Sequence, residues 1–402
     1  MPFQNVIGQN NIKRHLVEMV QQNRLSHALL FLGSEGSGAL SLAIAFAQYI
    51  VCEKRSPQIN REQSLFGEAP QTTNAEPQSL TDACGVCPAC IKSQRLVHPD
   101  IHFSYPVIPK KSGDKPVSTD YITEWREFFL QYPYGNAYDW LQFIGAENKQ
   151  GNITAQECND IVHQLNLKSF ESQYKILIMW MPEYLGNEGN KLLKLIEEPP
   201  ANTLFILVAE NESLILPTIV SRTQLVKIPL LETSDVENAL ITKANTPEVQ
   251  ARQIASICEG NYREALQLLQ HAEQDWQELL REWLNAILKT GPIAQVKWID
   301  DISKLGREKQ KQFLRYFNHL LEQAIRTRII GDAIQLHSPM NETDFTSRLN
   351  KLADISQQQA IIEELDMATY YIERNANAKL LFHALTIKLY HIIANKSVVE
   401  MH

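Results

Sequence analysis

The sequence predicts an α/β domain built on a parallel sheet, followed by an all-helical region, and three observations carry this. Short, fully apolar runs of strand length alternate with helical patterns up to about residue 230, which is how strands buried on both faces of a parallel sheet read. The first run, Ala28-Leu29-Leu30-Phe31-Leu32, passes straight into the glycine-rich stretch Gly33-Ser34-Glu35-Gly36-Ser37-Gly38-Ala39-Leu40 and then into a helical pattern. Beyond Pro229 no strand-like run remains, and apolar residues recur at three- and four-residue spacing.

The elements follow in order. Ile12, Leu16, Met19 and Val20 give the first helix one apolar face, and Ala43, Ile44, Ala47, Ile50 and Val51 trace the helix after the glycine loop, closed by Cys52. Strands are expected at 101–105, 175–181, 204–208 and 225–228, with helices at 153–167 and 190–200, the latter stopped by Pro199-Pro200. Two polar or irregular stretches, 53–81 and 106–152, read as insertions. The second holds Lys110, Lys111 and Lys115, then Trp125, Phe128, Phe129, Tyr132, Tyr134, Tyr138 and Trp140. Aromatics that follow lysines instead of interleaving with them favour a packed surface insertion over a single-strand binding face. After about residue 273, four apolar stripes dominate: Trp276/Leu280/Trp283/Ile287, Phe313/Phe317/Leu320/Ala324, Ile361/Leu365/Ala368/Ile372 and Leu381/Leu385/Leu389/Ile392. These are the core faces of a helical bundle, with helices 356–374 and 377–395 as antiparallel neighbours. The domains implied are 1–230, 231–272 and 273–402.

A chain of 402 residues, 44% hydrophobic and 21% charged, with a formal net charge of -8, is an ordinary globular composition. It argues against a binder of nucleic acid over its whole surface. The first residues, Met1-Pro2-Phe3-Gln4-Asn5, lack the layout of a signal peptide. No run approaches the roughly 18 apolar residues of a membrane span. The expected compartment is the cytoplasm.

The chemistry lies in the glycine loop and the cysteines. A working phosphate loop, G-x-x-x-x-G-K-[ST], uses its glycines to open a ring of backbone N–H donors, its Lys to reach the β/γ-phosphates and its hydroxyl to hold Mg²⁺. Gly33 and Gly38 keep the spacing, but Ala39 and Leu40 replace the two active residues. From the loop alone, a phosphate cradle and a plain tight turn are equal readings. The strand at 175–181 ends Trp180-Met181-Pro182-Glu183, without the acidic end that holds Mg²⁺ in such enzymes. Glu183 reads as a solvated carboxylate. Cys52 with Cys84-x-x-Cys87-x-x-Cys90 offers four thiolates in what looks like an intracellular chain, the closed shell of a structural zinc site. An iron–sulfur cluster is the rival, disfavoured by the missing third spacing and closing Cys-Pro. His98 reads as a loop residue, and Cys158 and Cys258 as small buried hydrophobes.

In their order these segments resemble the delta-prime family of bacterial DNA polymerase III clamp-loader subunits, which are AAA+ proteins. The resemblance rests on Val6-Ile7-Gly8-Gln9, His27 to Phe31, the four cysteines after the loop helix, His98-Pro99-Asp100 and Asn190 to Pro200. Leu216-Pro217-Thr218-Ile219-Val220-Ser221-Arg222-Thr223 resembles the family's S-R-C motif with Thr223 in place of Cys, and Gly260 to Leu266 the segment of the second sensor. The resemblance implies a P-loop-type sheet domain with an inserted zinc module at about 52–95, a helical lid domain and a C-terminal all-α collar. It implies a non-hydrolysing stator that assembles with gamma/tau and delta subunits to load the sliding clamp on primed DNA, with no membrane partner. Arg222 would be an arginine finger for a neighbouring ATP site. Gly33, Gly36 and Gly38 would be a vestigial cradle with ATP binding in doubt. Arg263 would be a second-sensor residue, or a pin holding the lid. Structural Zn²⁺ would sit on Cys52, Cys84, Cys87 and Cys90. An active gamma/tau-type ATPase needs Lys at position 39, and an unrelated zinc-dependent nucleic-acid binder needs more basic residues than Lys54, Arg55, Lys92 and Arg95.

Overall fold

The computed structural model describes residues 1–54, 81–111, 113–146, 151–270, 276–330, 340–373 and 376–394. Most of the first expected insertion, 53–81, therefore lies outside the described residues. The chain forms two compact units, 1–267 and 268–402.

In the first unit, α1 (Asn10–Gln21) precedes β1 (Ala28–Gly33), and α2 (Ala39–Val51) leaves the glycine loop. Then come α3 (Pro88–Gln94), β2 (Ile101–Ser104), α4 (Ile122–Gln131), α5 (Ala137–Phe143), α6 (Ala155–Asn166) and β3 (Lys175–Trp180). After them lie α7 (Leu193–Glu197), β4 (Thr203–Ala209), α8 (Pro217–Val220) and β5 (Gln224–Ile228). Helices α9 (Thr233–Ala244), α10 (Glu248–Ile257) and α11 (Tyr262–Gln270) follow.

All five apolar runs are strands of one parallel sheet in the order β2-β3-β4-β1-β5. Leu30 of β1 stands opposite Leu207 of β4 on one edge and Leu225 of β5 on the other. The alternation of a strand sends successive side chains to opposite faces. Leu29, Phe31, Ile178 and Ile206 enter a core with α1 and α2, while Leu30, Leu177, Met179 and Phe205 enter another with α6 and α7. Both faces are covered at β1, β3 and β4, which carry apolar runs, while the edge strand β5 alternates exposed and buried residues. Every residue of α2 is buried.

The described part of the insertion 106–152 is packed against the sheet, as the aromatic pattern suggested. Its ends are tied by the reciprocal backbone bonds Val107 N–H to Asn152 O and Asn152 N–H to Val107 O, both 3.0 Å. Trp125 stacks on Tyr105 at 4.1 Å and meets Trp140 edge-on at 5.4 Å and Trp180 of β3 at 5.3 Å. The Trp140 indole N–H donates to Pro106 O at 2.6 Å. The expected helix at 190–200 is shorter: residues 182–192 are 3₁₀, broken at Gly186, and the α-helical part is only α7. Gly186 at φ 50°, ψ -141° takes a conformation open to glycine and interrupts the helix there.

The second unit holds α12 (Trp276–Asn285), α13 (Pro292–Ser303), α14 (Arg307–Ile330), α15 (Met340–Leu352), α16 (Ile355–Glu373) and α17 (Ala378–Ala394). The four stripes supply its core, Leu381 alone being only partly buried. At the centre Trp283 stacks on Trp298 at 4.7 Å and donates its indole N–H to Thr386 Oγ1 at 3.0 Å. Helices α16 and α17 are antiparallel, since Gln357 bonds Ile392 O at 2.6 Å while Glu364 pairs with Lys388 at 2.7 Å.

Two outcomes test this packing. Trp125→Ala removes a fully buried indole shared by insertion and sheet. It should cost about 3–5 kcal/mol in denaturant unfolding of the first unit; a loss under about 1 kcal/mol would mean the insertion does not share that core. In the bundle, burial and then Arg326 lower the His319 pKa from 6.5 to about 4. The unfolded chain then binds the proton first as pH falls, so stability drops from about pH 6.5 downward. By pH 5 the loss should reach about 2 kcal/mol, and thermal unfolding at pH 6.5 and 5.0 should show H319Q spared that part of the loss.

Candidate functional site

The glycine loop sits at the carboxyl end of β1, whose neighbours β4 and β5 lie on opposite sides. In open parallel sheets this reversal of strand order is where ligands bind. Gly36 (φ 74°) and Gly38 (φ 83°) hold left-handed conformations, and Gly38 caps α2. The Gln9 amide bonds Ser37 O at 3.2 Å and Pro229 O at 2.6 Å, tying the loop to the chain on either side of the sheet.

The cradle is not open. A Cβ built on Gly38 would stand 2.6 Å from Cε1 of Tyr134, and one on Gly36 would run into the Asn261 side chain. Tyr134 comes from the insertion; its hydroxyl accepts the Ile7 N–H at 2.8 Å, and its ring meets Tyr262 edge-on at 5.0 Å. Ser41 Oγ donates to Pro133 O at 2.6 Å, bringing the same segment onto α2. The space left beside Gly33, Ala39, Tyr134 and Met181 is about 30 Å³. That is room for about one water, against roughly 300 Å³ or more for a small-molecule site.

Arg263 lies against this loop, only 4% of its side chain exposed. Its guanidinium meets Asp139 in a fork, Nε to Oδ2 at 2.5 Å and Nη2 to Oδ1 at 2.6 Å, and Nη1 reaches Glu35 Oε1 at 2.7 Å. Glu35 Oε2 accepts from Asn136 Nδ2 at 2.8 Å. Asn136 and Asp139 also form the capping box that starts α5, the Asp139 N–H donating to Asn136 Oδ1 at 2.9 Å.

At the end of β3, Trp180 and Met181 are buried, and no carboxylate of the strand faces the loop. Glu183 corrects the expectation of a solvated side chain. Its Oε1 accepts the backbone N–H groups of Glu210 (2.7 Å) and Asn211 (2.9 Å), clamping the end of β3 to the end of β4, and burial raises its pKa.

The structure brings the four cysteines together. Cys52 ends α2, Cys87 caps α3, and the Sγ atoms of Cys52, Cys84, Cys87 and Cys90 all lie within 4.8 Å of one another. All are free thiols. The Cys84–Cys90 separation is 3.9 Å, near the roughly 3.8 Å edge of a tetrahedron with zinc–sulfur bonds of about 2.3 Å. Backbone N–H groups of Cys84, Cys87 and Cys90 each point at a cluster sulfur at 3.4 Å, a donor arrangement that steadies thiolates. A hydrogen bond from Cys90 lowers the pKa of the Cys52 thiol. The donor set fits a four-thiolate metal. His98 stands outside it: its Nδ1 accepts the Asp100 N–H at 3.1 Å, its Nε2 faces Glu171 at 3.2 Å, and burial lowers its pKa. Cys158 and Cys258 are buried.

Arg222 follows α8 with about a third of its side chain exposed. Its Nη1 donates to Thr218 O at 2.8 Å, and its Nε and Nη2 pair with Glu197 at the end of α7.

Three residues here escaped sequence reading: Glu35, Asp139 and Tyr134. Asn136-x-x-Asp139 is a readable helix start, but nothing local ties it to Arg263, which lies 124 residues beyond Asp139.

A family model described as "DNA polymerase III, delta subunit" matches residues 8–66 and 61–232, over half of the chain. DNA polymerase III subunit tau of Bacillus subtilis is 25% identical over 328 residues, 80% of this chain and 46% of that protein. Subunit delta' of the same organism is 25% identical over 266 residues, 66% of this chain and 60% of that protein. The chain thus spans about half the length of these relatives. A solved gamma subunit-related protein of Thermotoga maritima is 14% identical, with a TM-score of 0.37 over 94% of this chain and 99% of that one. With its phosphate-loop sheet and the family match running through loop, cysteines and Arg222, the chain belongs to the DNA polymerase III delta-subunit family of clamp-loader proteins.

Proposed function

We propose that the chain is a non-hydrolysing, delta-prime-type stator of a cytoplasmic clamp loader. It assembles with gamma/tau and delta subunits to load the sliding clamp on primed DNA, and acts on ATP hydrolysis in a neighbouring subunit. The observation that carries this reading is the pairing of a loop without its Lys and hydroxyl, Ala39 and Leu40, with an arginine held at the surface, Arg222. A planar, permanently charged guanidinium suits the spread charge of a transferring phosphoryl group, and a finger supplied in trans is worth on the order of 10³–10⁵ in rate. The paired edge of Arg222 would exchange the Glu197 carboxylate for phosphate oxygens. Gly33, Gly36 and Gly38 remain as architecture, and Arg263 serves its own chain.

Reconstitution with gamma/tau and delta subunits tests the finger. Clamp- and DNA-stimulated ATP hydrolysis should fall at least tenfold with Arg222→Ala while the complex still assembles on a sizing column. An unchanged rate sinks the role. The second reading is an active gamma/tau-type ATPase, favoured by the 25% identity to a tau subunit. Turnover of ATP by the purified chain alone would establish it.

Cys52, Cys84, Cys87 and Cys90 would hold one structural Zn²⁺, which ties α2 to α3 and leaves no position for a substrate. One zinc per chain should appear in elemental analysis of protein purified without chelator. Cys87→Ser should lose the metal and lower the melting temperature, while iron in place of zinc would refute the assignment.

A further inference from the structure

We infer that the insertion 106–152 is a built-in plug for the phosphate loop, and that its Asp139, with Glu35 of the loop, gives Arg263 the anionic partner a nucleotide would otherwise provide. This goes beyond the stator reading and stands whether or not Arg222 serves a neighbour.

Three independent contacts point the same way. Sterically, the Tyr134 ring closes over Gly38, 2.6 Å from where a Cβ there would stand, and Pro133 covers the first turn of α2. Tyr134 is itself held at both ends, by the Ile7 N–H and by the ring of Tyr262. Electrostatically, a nearly dry arginine requires an anion, because an unpaired buried charge is costly. Asp139 supplies it through the two parallel bonds that are strongest for Arg and carboxylate, and Glu35 adds a third from inside the loop. Glu35 and Asp139 set two negative charges against the one of Arg263, so the cluster keeps a net negative charge beside the loop.

The backbone contributes the third contact. The Tyr262 N–H donates to Gly36 O at 3.3 Å, and Asn261 fills the space over Gly36. The loop is therefore bonded through its Gly36 carbonyl to the start of α11, with Asn261 closed over the same glycine. Insertion, loop and α11 form one closed set, with Asp139–Arg263–Glu35 at its centre. The helical module 233–267 is held on the sheet in one arrangement with no nucleotide needed to set it. The tied base at Val107 and Asn152 and the buried tryptophans keep the plug from leaving.

The test separates loss of the loop's chemistry from occupation of its space. The variant A39K/L40T restores the two missing residues; with the plug in place it should still fail to bind mant-ATP with Mg²⁺ in fluorescence titration. Adding Tyr134→Ala and Asp139→Asn should then strengthen binding at least tenfold. Equal affinity with and without the plug substitutions overturns the proposal. A second arm uses only D139N, an isosteric change. Amide hydrogen exchange over 261–267 should quicken at least tenfold while the melting transition of the second unit is unmoved. Unchanged exchange there overturns the anion role of Asp139.

Discussion

The first unit depends on a constraint at β1: the strand is hydrogen-bonded along both edges and covered on both faces. A strand so placed admits only apolar residues, and its end is fixed in space to the precision of two ladders. The glycine loop inherits that precision. So does α2, which starts at Gly38 and is buried along its whole length. The cysteine cluster inherits it in turn, because Cys52 is the cap of α2. The loop's frame is thus set by its strand and helix, and does not depend on a lysine at position 39.

Charge placement follows from the same dryness. The surface pair Arg222–Glu197 is solvated, so its strength is modest and its partner exchangeable. The Arg263 guanidinium is nearly out of water between its two half-buried carboxylates, so removing one partner leaves a charge that the site cannot solvate. Two arginines of one chain thus differ in kind: one is poised at the surface, the other is committed inside.

Much of this was legible in the sequence because it is local. The five strands declared themselves as apolar runs, and the cysteine cluster as two overlapping C-x-x-C turns beginning 32 residues after Cys52. The bundle stripes required only helical periodicity. What could not be read was long-range. No spacing rule joins Asp139 to Arg263 or Glu35 to either. Tyr134 looked like one aromatic among several on an inserted surface, and its burial depends on Ile7 and Tyr262, far apart in sequence. Glu183 was misread for the opposite reason: a carboxylate after a proline looks solvated until the N–H groups of Glu210 and Asn211 are brought beside it by strand pairing.

The strand order has a consequence for synthesis. β1 pairs only with β4 and β5, and the second of these ends at Ile228, almost two hundred residues after Gly33. At about 5–20 residues per second, the run Ala28 to Leu32 waits on the order of 10–40 s on the ribosome before its last partner exists. Both edges of this apolar run are open until β4 is made, and one stays open until β5 follows. A nascent chain of this topology needs its early helices, or a chaperone, to shield β1 until the sheet can close around it.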